Sequence, residues 1–124
     1  MGKPNSPFVA ENTSETCTPR NQPDLQLRLD ETQADQMATL FKALSHPVRL
    51  QILDLISQGG GEVCICDLEH HFDLTQPTLS HHVKVLREAG VIQSEQNRVW
   101  IFHRIDLTTL QQMHELLGHF TGLA

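Results

Sequence analysis

Two cysteines one residue apart, Cys64 and Cys66 in Glu62-Val-Cys-Ile-Cys-Asp-Leu68, are the residues of this chain best suited to chemistry. Ionised thiols are soft ligands, and a pair of them prefers thiophilic ions to magnesium or calcium. A third cysteine, Cys17, makes the count odd, so reduced, metal-competent thiols are expected rather than a structural disulfide framework. Geometry restricts where the pair can act. On a regular helix residues two apart lie about 200° apart around the axis and cannot share one ion, so the thiols converge only where the backbone is not helical. Gly59-Gly60-Gly61 places them at or before the first turn of a short helix, where the helix N-terminus also favours thiolate. Ligation there is expected to unwind that turn and to disturb whatever packs on it.

Downstream of the pair lies a second set of residues with a recognisable purpose. The segment from Gln76 to Ala89 has the period of a helix, with Thr75 as N-cap, Pro77 in the first turn and Gly90 as terminator. Leu79, Val83 and Leu86 share one edge and belong to the core, with His82 near the same side. His81 and Lys84 then point outward, Thr78 and Ser80 flank them, and Gln76 lies near the helix start, where a groove-reading helix carries its base contacts. Arg98, in a polar turn further on, can reach phosphates or a minor groove. The chain carries a net charge of −6, yet residues 75–104 sum to +2 without their histidines and the flanks to −8. DNA contact is therefore confined to the centre of the chain and should be salt-sensitive.

The elements that position these residues emerge from the same patterns. Residues 1–30, rich in Pro, Asn, Ser and Thr, predict a flexible arm that carries Cys17. Met37, Leu40, Phe41 and Leu44 mark an amphipathic helix; a second runs from Pro47 to about Gln58, and a third, short one from roughly Cys66 to Phe72. After the fourth helix, Val91 to Glu95 and Val99 to Ile105 predict a hairpin around Gln96-Asn97-Arg98. Asp106 caps a last helix whose apolar stripe, from Leu107 through Leu110, Met113 and Leu117 to Phe120, is longer than a small core absorbs and asks for a partner. Residues 121–124 form a tail. The order α-α-α-α-β-β-α predicts a mainly α (α+β) winged helix-turn-helix domain over residues 31–120. No apolar run approaches 18 residues, which predicts no membrane span, no signal peptide and a cytoplasmic protein.

Leu44-Ser-His-Pro-Val-Arg-Leu-Gln-Ile-Leu53, the Cys-x-Cys segment, Thr75-Gln-Pro-Thr-Leu-Ser-His-His-Val-Lys-Val-Leu86 and Gly90-Val91 together resemble the successive signatures of the ArsR/SmtB family of metal-responsive repressors, over residues 33–120. The resemblance implies a homodimer joined through its first and last helices. It also implies that the metal-free dimer binds double-stranded operator DNA and lets go when a soft metal or metalloid binds.

Two departures from the family patterns bear on the ion. Arsenic-sensing members often carry a third cysteine three residues after the second, where this chain has Glu69. Other members recruit arm cysteines, so the resemblance implies Cys17 with Cys64 and Cys66 as a trigonal thiolate set. Three sulfurs without a fourth ligand suit As(III) or Sb(III) better than tetrahedral zinc, with Cd(II) or Pb(II) as the alternative inducer. The zinc and nickel histidine site of the family is incomplete, since its positions read Asp106, Thr108, His119 and Gly122. Oxidation of the cysteines is a further alternative to metalloid capture as the switch. No phosphate-cradling or dinucleotide glycine motif is present and Cys17-Thr-Pro-Arg20 lacks the spacer of an anion-binding thiol loop, so no enzymatic activity is expected.

Overall fold

A computed structural model of the protein describes residues 24–122, so the arm up to residue 23, Cys17 included, and the last two residues lie outside it. Five helices and one hairpin run in the expected order: α1 Glu31–Ala43, α2 Pro47–Gln58, α3 Ile65–Glu69, α4 Gln76–Ala89, β1 Ile92–Asn97, β2 Trp100–Ile105 and α5 Leu107–Thr121. Each start has a local cause. Asp30 caps α1, its carboxylate accepting from the Gln33 N–H at 2.8 Å. His46 Nδ1 accepts from the Val48 N–H at 3.1 Å and Pro47 opens α2 with the φ it is locked to. Thr75 Oγ1 accepts from the Thr78 N–H at 3.3 Å, and Gly90, at φ 89°, ends α4 in the left-handed region that suits glycine.

The core lies where α2, α3, α4 and the hairpin meet. Ile52, Leu68, Leu79, Leu86 and Val91 are fully buried there, and Met113 of α5 closes one side. The strands pair antiparallel, with Ile92 opposite Ile105 and Asn97 opposite Trp100. Val63 adds an isolated antiparallel bridge to His103, whose N–H donates to the Val63 carbonyl at 2.8 Å. The residue just before the thiol pair is thus stitched to the outer strand of the wing.

Four boundaries differ from the sequence reading. Helix α3 spans Ile65–Glu69 rather than Cys66 to Phe72, because the His71 N–H reaches back to the Leu68 carbonyl and closes the helix with a tighter turn. Strand β1 starts at Ile92, since Val91 still bonds the Leu86 carbonyl as part of the α4 cap. The hairpin turn narrows to Arg98 and Val99, with Gln96 and Asn97 paired into the ladder. Helix α5 extends to Thr121, one residue into the expected tail, before Gly122 caps it.

Candidate functional site

The thiol pair sits at the threshold of α3. Cys64 is its N-cap, with an extended backbone at φ −102° and ψ 169°, and Cys66 is the second helical residue. That extended residue removes the angular separation a helix would impose: the two Cα atoms are 5.3 Å apart and the sulfurs are joined as a disulfide. The sequence predicts free thiols; the pairing arises because the N-cap backbone turns both side chains to one side. Once reduced, two sulfurs so placed form a two-point soft-ligand site, which fits a thiophilic ion. The Asp67 carboxylate accepts from the Cys64 N–H at 3.0 Å and fixes the cap. Cys17, the third expected ligand, lies outside the described residues.

Two connections lead away from the pair. One is the bridge from Val63 to His103 in β2. The other is the packing of α3 on α4, where Leu68 and Leu79, both without solvent exposure, belong to one buried cluster. Gly59 belongs to the same device: its φ is ordinary, but a Cβ there would collide with Val63 Cγ2 and force the residue that anchors the wing to shift. His103 is buried, its Nδ1 lies 2.7 Å from Ser94 Oγ, and burial, with a smaller push from Arg87, lowers its pKa below the ordinary histidine value.

On α4, Leu79, His82, Val83 and Leu86 are buried, and Gln76, Thr78, Ser80, His81 and Lys84 are exposed, as the wheel predicts. His82 anchors the rear of the helix. Its Nδ1 lies 3.3 Å from Arg49 Nη1, its ring 4.5 Å from that of His46, and Arg49 Nε donates to the Ala43 carbonyl at 2.6 Å. Burial first, then His46, Arg49 and His81, lower the His82 pKa below the ordinary histidine value. Arg49 does not stand out in the sequence as part of this support, because it acts through a partner remote in the chain.

Arg98 occupies the exposed tip of the wing at φ 63°. The positive charge of the central stretch is partly spent within it: Arg104 pairs with Glu95 at 3.1 Å and Lys84 lies 4.0 Å from Glu88. Both pairs are exposed and weak, so DNA phosphates can compete for the cations. At the first of the family's histidine-site positions, the Asp106 carboxylate serves as the α5 cap. It accepts from the Thr109 N–H at 3.0 Å and from Gln93 Nε2 at 2.8 Å, which hold it below the usual carboxylate pKa. Among the described residues no helix is long and apolar enough to cross a membrane.

Comparison with known proteins agrees with this arrangement. Residues 46–94 match the family described as bacterial regulatory protein, arsR family. The chain is 48% identical over 62 residues to the arsenical resistance operon repressor of Staphylococcus xylosus, a match covering 50% of this chain and 58% of that protein. It is 37% identical over 75 residues to the transcriptional repressor SdpR of Bacillus subtilis, covering 60% of this chain and 81% of that one. Its structure resembles that of the homodimeric winged helix-turn-helix DNA-binding domain of a possible ArsR-family regulator from Mycobacterium bovis, with a TM-score of 0.59 and 25% identity over 78% of this chain and 91% of that chain.

Proposed function

Because the chain belongs to the ArsR family of bacterial regulatory proteins, we propose that it is a metalloid-responsive transcriptional repressor that holds operator DNA until trivalent arsenic or antimony binds Cys64, Cys66 and Cys17. The observation that carries this reading is the position of the thiol doublet. It lies on the short stretch that is hydrogen-bonded to the wing on one side and packed against the groove-reading helix on the other. Drawing the two sulfurs onto an ion, with a third thiolate from the arm, pulls on both DNA-contacting elements together. The name of the staphylococcal relative supports arsenic as the inducer.

Operator contact is assigned to Gln76, Thr78, Ser80, His81 and Lys84 of α4 in the major groove and to Arg98 at the wing tip. Two copies joined through α1 and α5 would read two half-sites. Leu107 and Phe120 on α5 are 76% and 69% exposed, an apolar surface that one chain leaves uncovered and a second copy would bury. An inducer coupling of about 1 to 3 kcal/mol per site, taken twice in a dimer, is a large part of the roughly 4 to 10 kcal/mol that separates specific from non-specific DNA binding. Release thus needs no unfolding.

The test is a titration of arsenite, antimonite, cadmium, lead and zinc against the protein bound to its labelled promoter fragment, with a phosphine reductant held constant. Release by arsenite and antimonite at the lowest concentrations is the expected result; a protein that ignores both fails the reading, and one that answers first to cadmium or lead is a sensor of those ions. The disulfide between Cys64 and Cys66 favours one second reading, a redox-switched repressor. That protein would release DNA on adding a peroxide and would not respond to arsenite under full reductant.

A further inference from the structure

Three wing residues are out of keeping with a DNA-contacting hairpin. Val99, Trp100 and Ile101 are 85%, 50% and 48% exposed, where a wing that touches phosphates would carry polar or basic side chains. They stand over a cleft of about 330 Å³ that Cys64, Ile65 and Cys66 line from α3, and Val83 from α4. This volume lies at the lower end of what small-molecule sites occupy, roughly 300 to 1,000 Å³, and such sites are mostly apolar with a few polar groups that fix the ligand. Here Ser80, Arg87 and His103 are polar groups of the lining, and the two cysteines are the groups that can bond covalently to a ligand. A trivalent arsenic atom that already carries one carbon substituent has two positions left for sulfur, which is the number of thiols the described site offers.

Resting on the reading of Cys64 and Cys66 as arsenic ligands, we propose that this cleft binds monosubstituted organic arsenicals, RAs(OH)2, whose arsenic takes the two thiols while the organic group lies against Trp100, Ile101 and Val83. The disulfide is first opened by two equivalents of a monothiol of the glutathione class, which become that thiol's own disulfide as two Cys–SH form. Each thiol then replaces one hydroxyl on arsenic. Two As–O bonds break, two As–S bonds form, the thiol protons leave with the hydroxyls as two waters, and arsenic stays trivalent. The third thiolate that arsenite requires is not needed, and an organic group wedged between α4 and β2 acts directly on the spacing of helix and wing.

The experiment uses the full-length protein on its labelled promoter fragment, under a phosphine reductant, with phenylarsonous acid, methylarsonous acid and arsenite as probes. The two organic probes share their sulfur chemistry and differ in the group offered to the cleft. Phenyl should release the operator at a concentration lower than methyl by at least about tenfold. Ile101→Asn, an exposed position that folding tolerates, should bring that ratio close to one. Cys17→Ser should weaken the answer to arsenite and leave the answer to phenylarsonous acid. Trp100 is the only tryptophan of the chain, so its emission gives an independent readout without DNA, and phenyl should change it at lower concentration than methyl. Equal potency of the two organic probes on the wild type, or a preference untouched by Ile101→Asn, overturns the cleft while arsenite release leaves the sensor reading standing. Failure of all three probes overturns the sensor reading itself.

Discussion

Replacing Cys64 by serine separates sensing from folding more cleanly than any other single change, because of where Cys64 sits. It is the N-cap of α3, a position at which sulfur is a weak acceptor and serine oxygen is among the preferred groups. Serine has nearly the same shape, keeps the backbone N–H that donates to Asp67, and fits a buried site next to Val63. Cap substitutions are worth about 0.5 to 2 kcal/mol, so with both proteins fully reduced, and the disulfide therefore absent from each, the variant should be as stable as the parent or more stable by a fraction of that range. A small domain would register 1 kcal/mol as a melting shift of roughly 4 to 8 °C. What the variant lacks is one of two sulfurs. If the inducer contributes about 1 to 3 kcal/mol of coupling per site, losing both sites of a dimer should raise the arsenite concentration needed for release by about 30-fold or more. The measurements are thermal unfolding, operator affinity by gel shift and arsenite titration of the complex. Unchanged stability and operator affinity with the arsenite response gone is the expected triple. A variant that melts like the parent and still releases DNA at the parent's arsenite concentration refutes the assignment of Cys64, with no folding defect to explain it away.

The geometry sets four further outcomes. Arg98→Asn keeps a residue that tolerates the left-handed backbone at the wing tip but removes its charge, so binding should weaken alike on all sequences and the salt slope fall by about 1. His81→Ala should instead reduce discrimination between operator and random duplex by about 1 to 3 kcal/mol, measured as the ratio of two affinities. His82 and His103 both have lowered folded-state pKa values, so the unfolded chain binds more protons; their contribution to stability is complete above the ordinary value near 6.5 and is lost as pH falls below it. Unfolding titrations at pH 7.5 and 5.5 should show that loss, and His82→Gln should shrink it. Gly59→Ala should cost about 1 to 3 kcal/mol by overpacking against Val63 and should also loosen the wing, seen as faster amide exchange at His103.

Most of the fold is legible in the sequence because its punctuation is local. Pro47, Thr75 and Gly90 mark their helix ends by the chemistry of single residues, and α2 and α4 begin and end where those residues say. The spacing of Leu79, Val83 and Leu86 locates the buried edge of α4 and, by difference, its exposed face. Sequence pattern carries helix α3 past its true end at Glu69, because five residues cannot display a period. It also places the hairpin turn too early, because Arg98 adopts a left-handed conformation that nothing in its side chain announces. Convergence of the thiols can be inferred from the glycine run beside them. Their union in a disulfide, and the bridge from Val63 to His103, cannot, since one depends on the side-chain directions at a cap and the other on a pairing between segments far apart in the chain.

On the proposed sensing role, that bridge bears on how thiol ligation can reach the DNA-binding elements of so small a protein. A ligand shifts an equilibrium only through a difference in its affinity for two arrangements, so the thiol pair must be strained or displaced in one of them. A five-residue helix makes such displacement inexpensive, because few backbone bonds hold it and its far end is fixed by one buried side chain, Leu68. The same short helix lies between two rigid pieces, the long helix α4 and the hairpin, neither of which has to deform. A change of about an ångström at Cys64 has a path to β2 through the backbone hydrogen bond between Val63 and His103, and to α4 through the buried cluster that contains Leu68 and Leu79. Placing the thiols within α4 would have tied sensing to the groove contacts themselves, and placing them on the wing would have left the helix untouched. At the cap of α3 the thiols are linked to both, which is the arrangement that the proposed release of DNA on thiolate ligation requires.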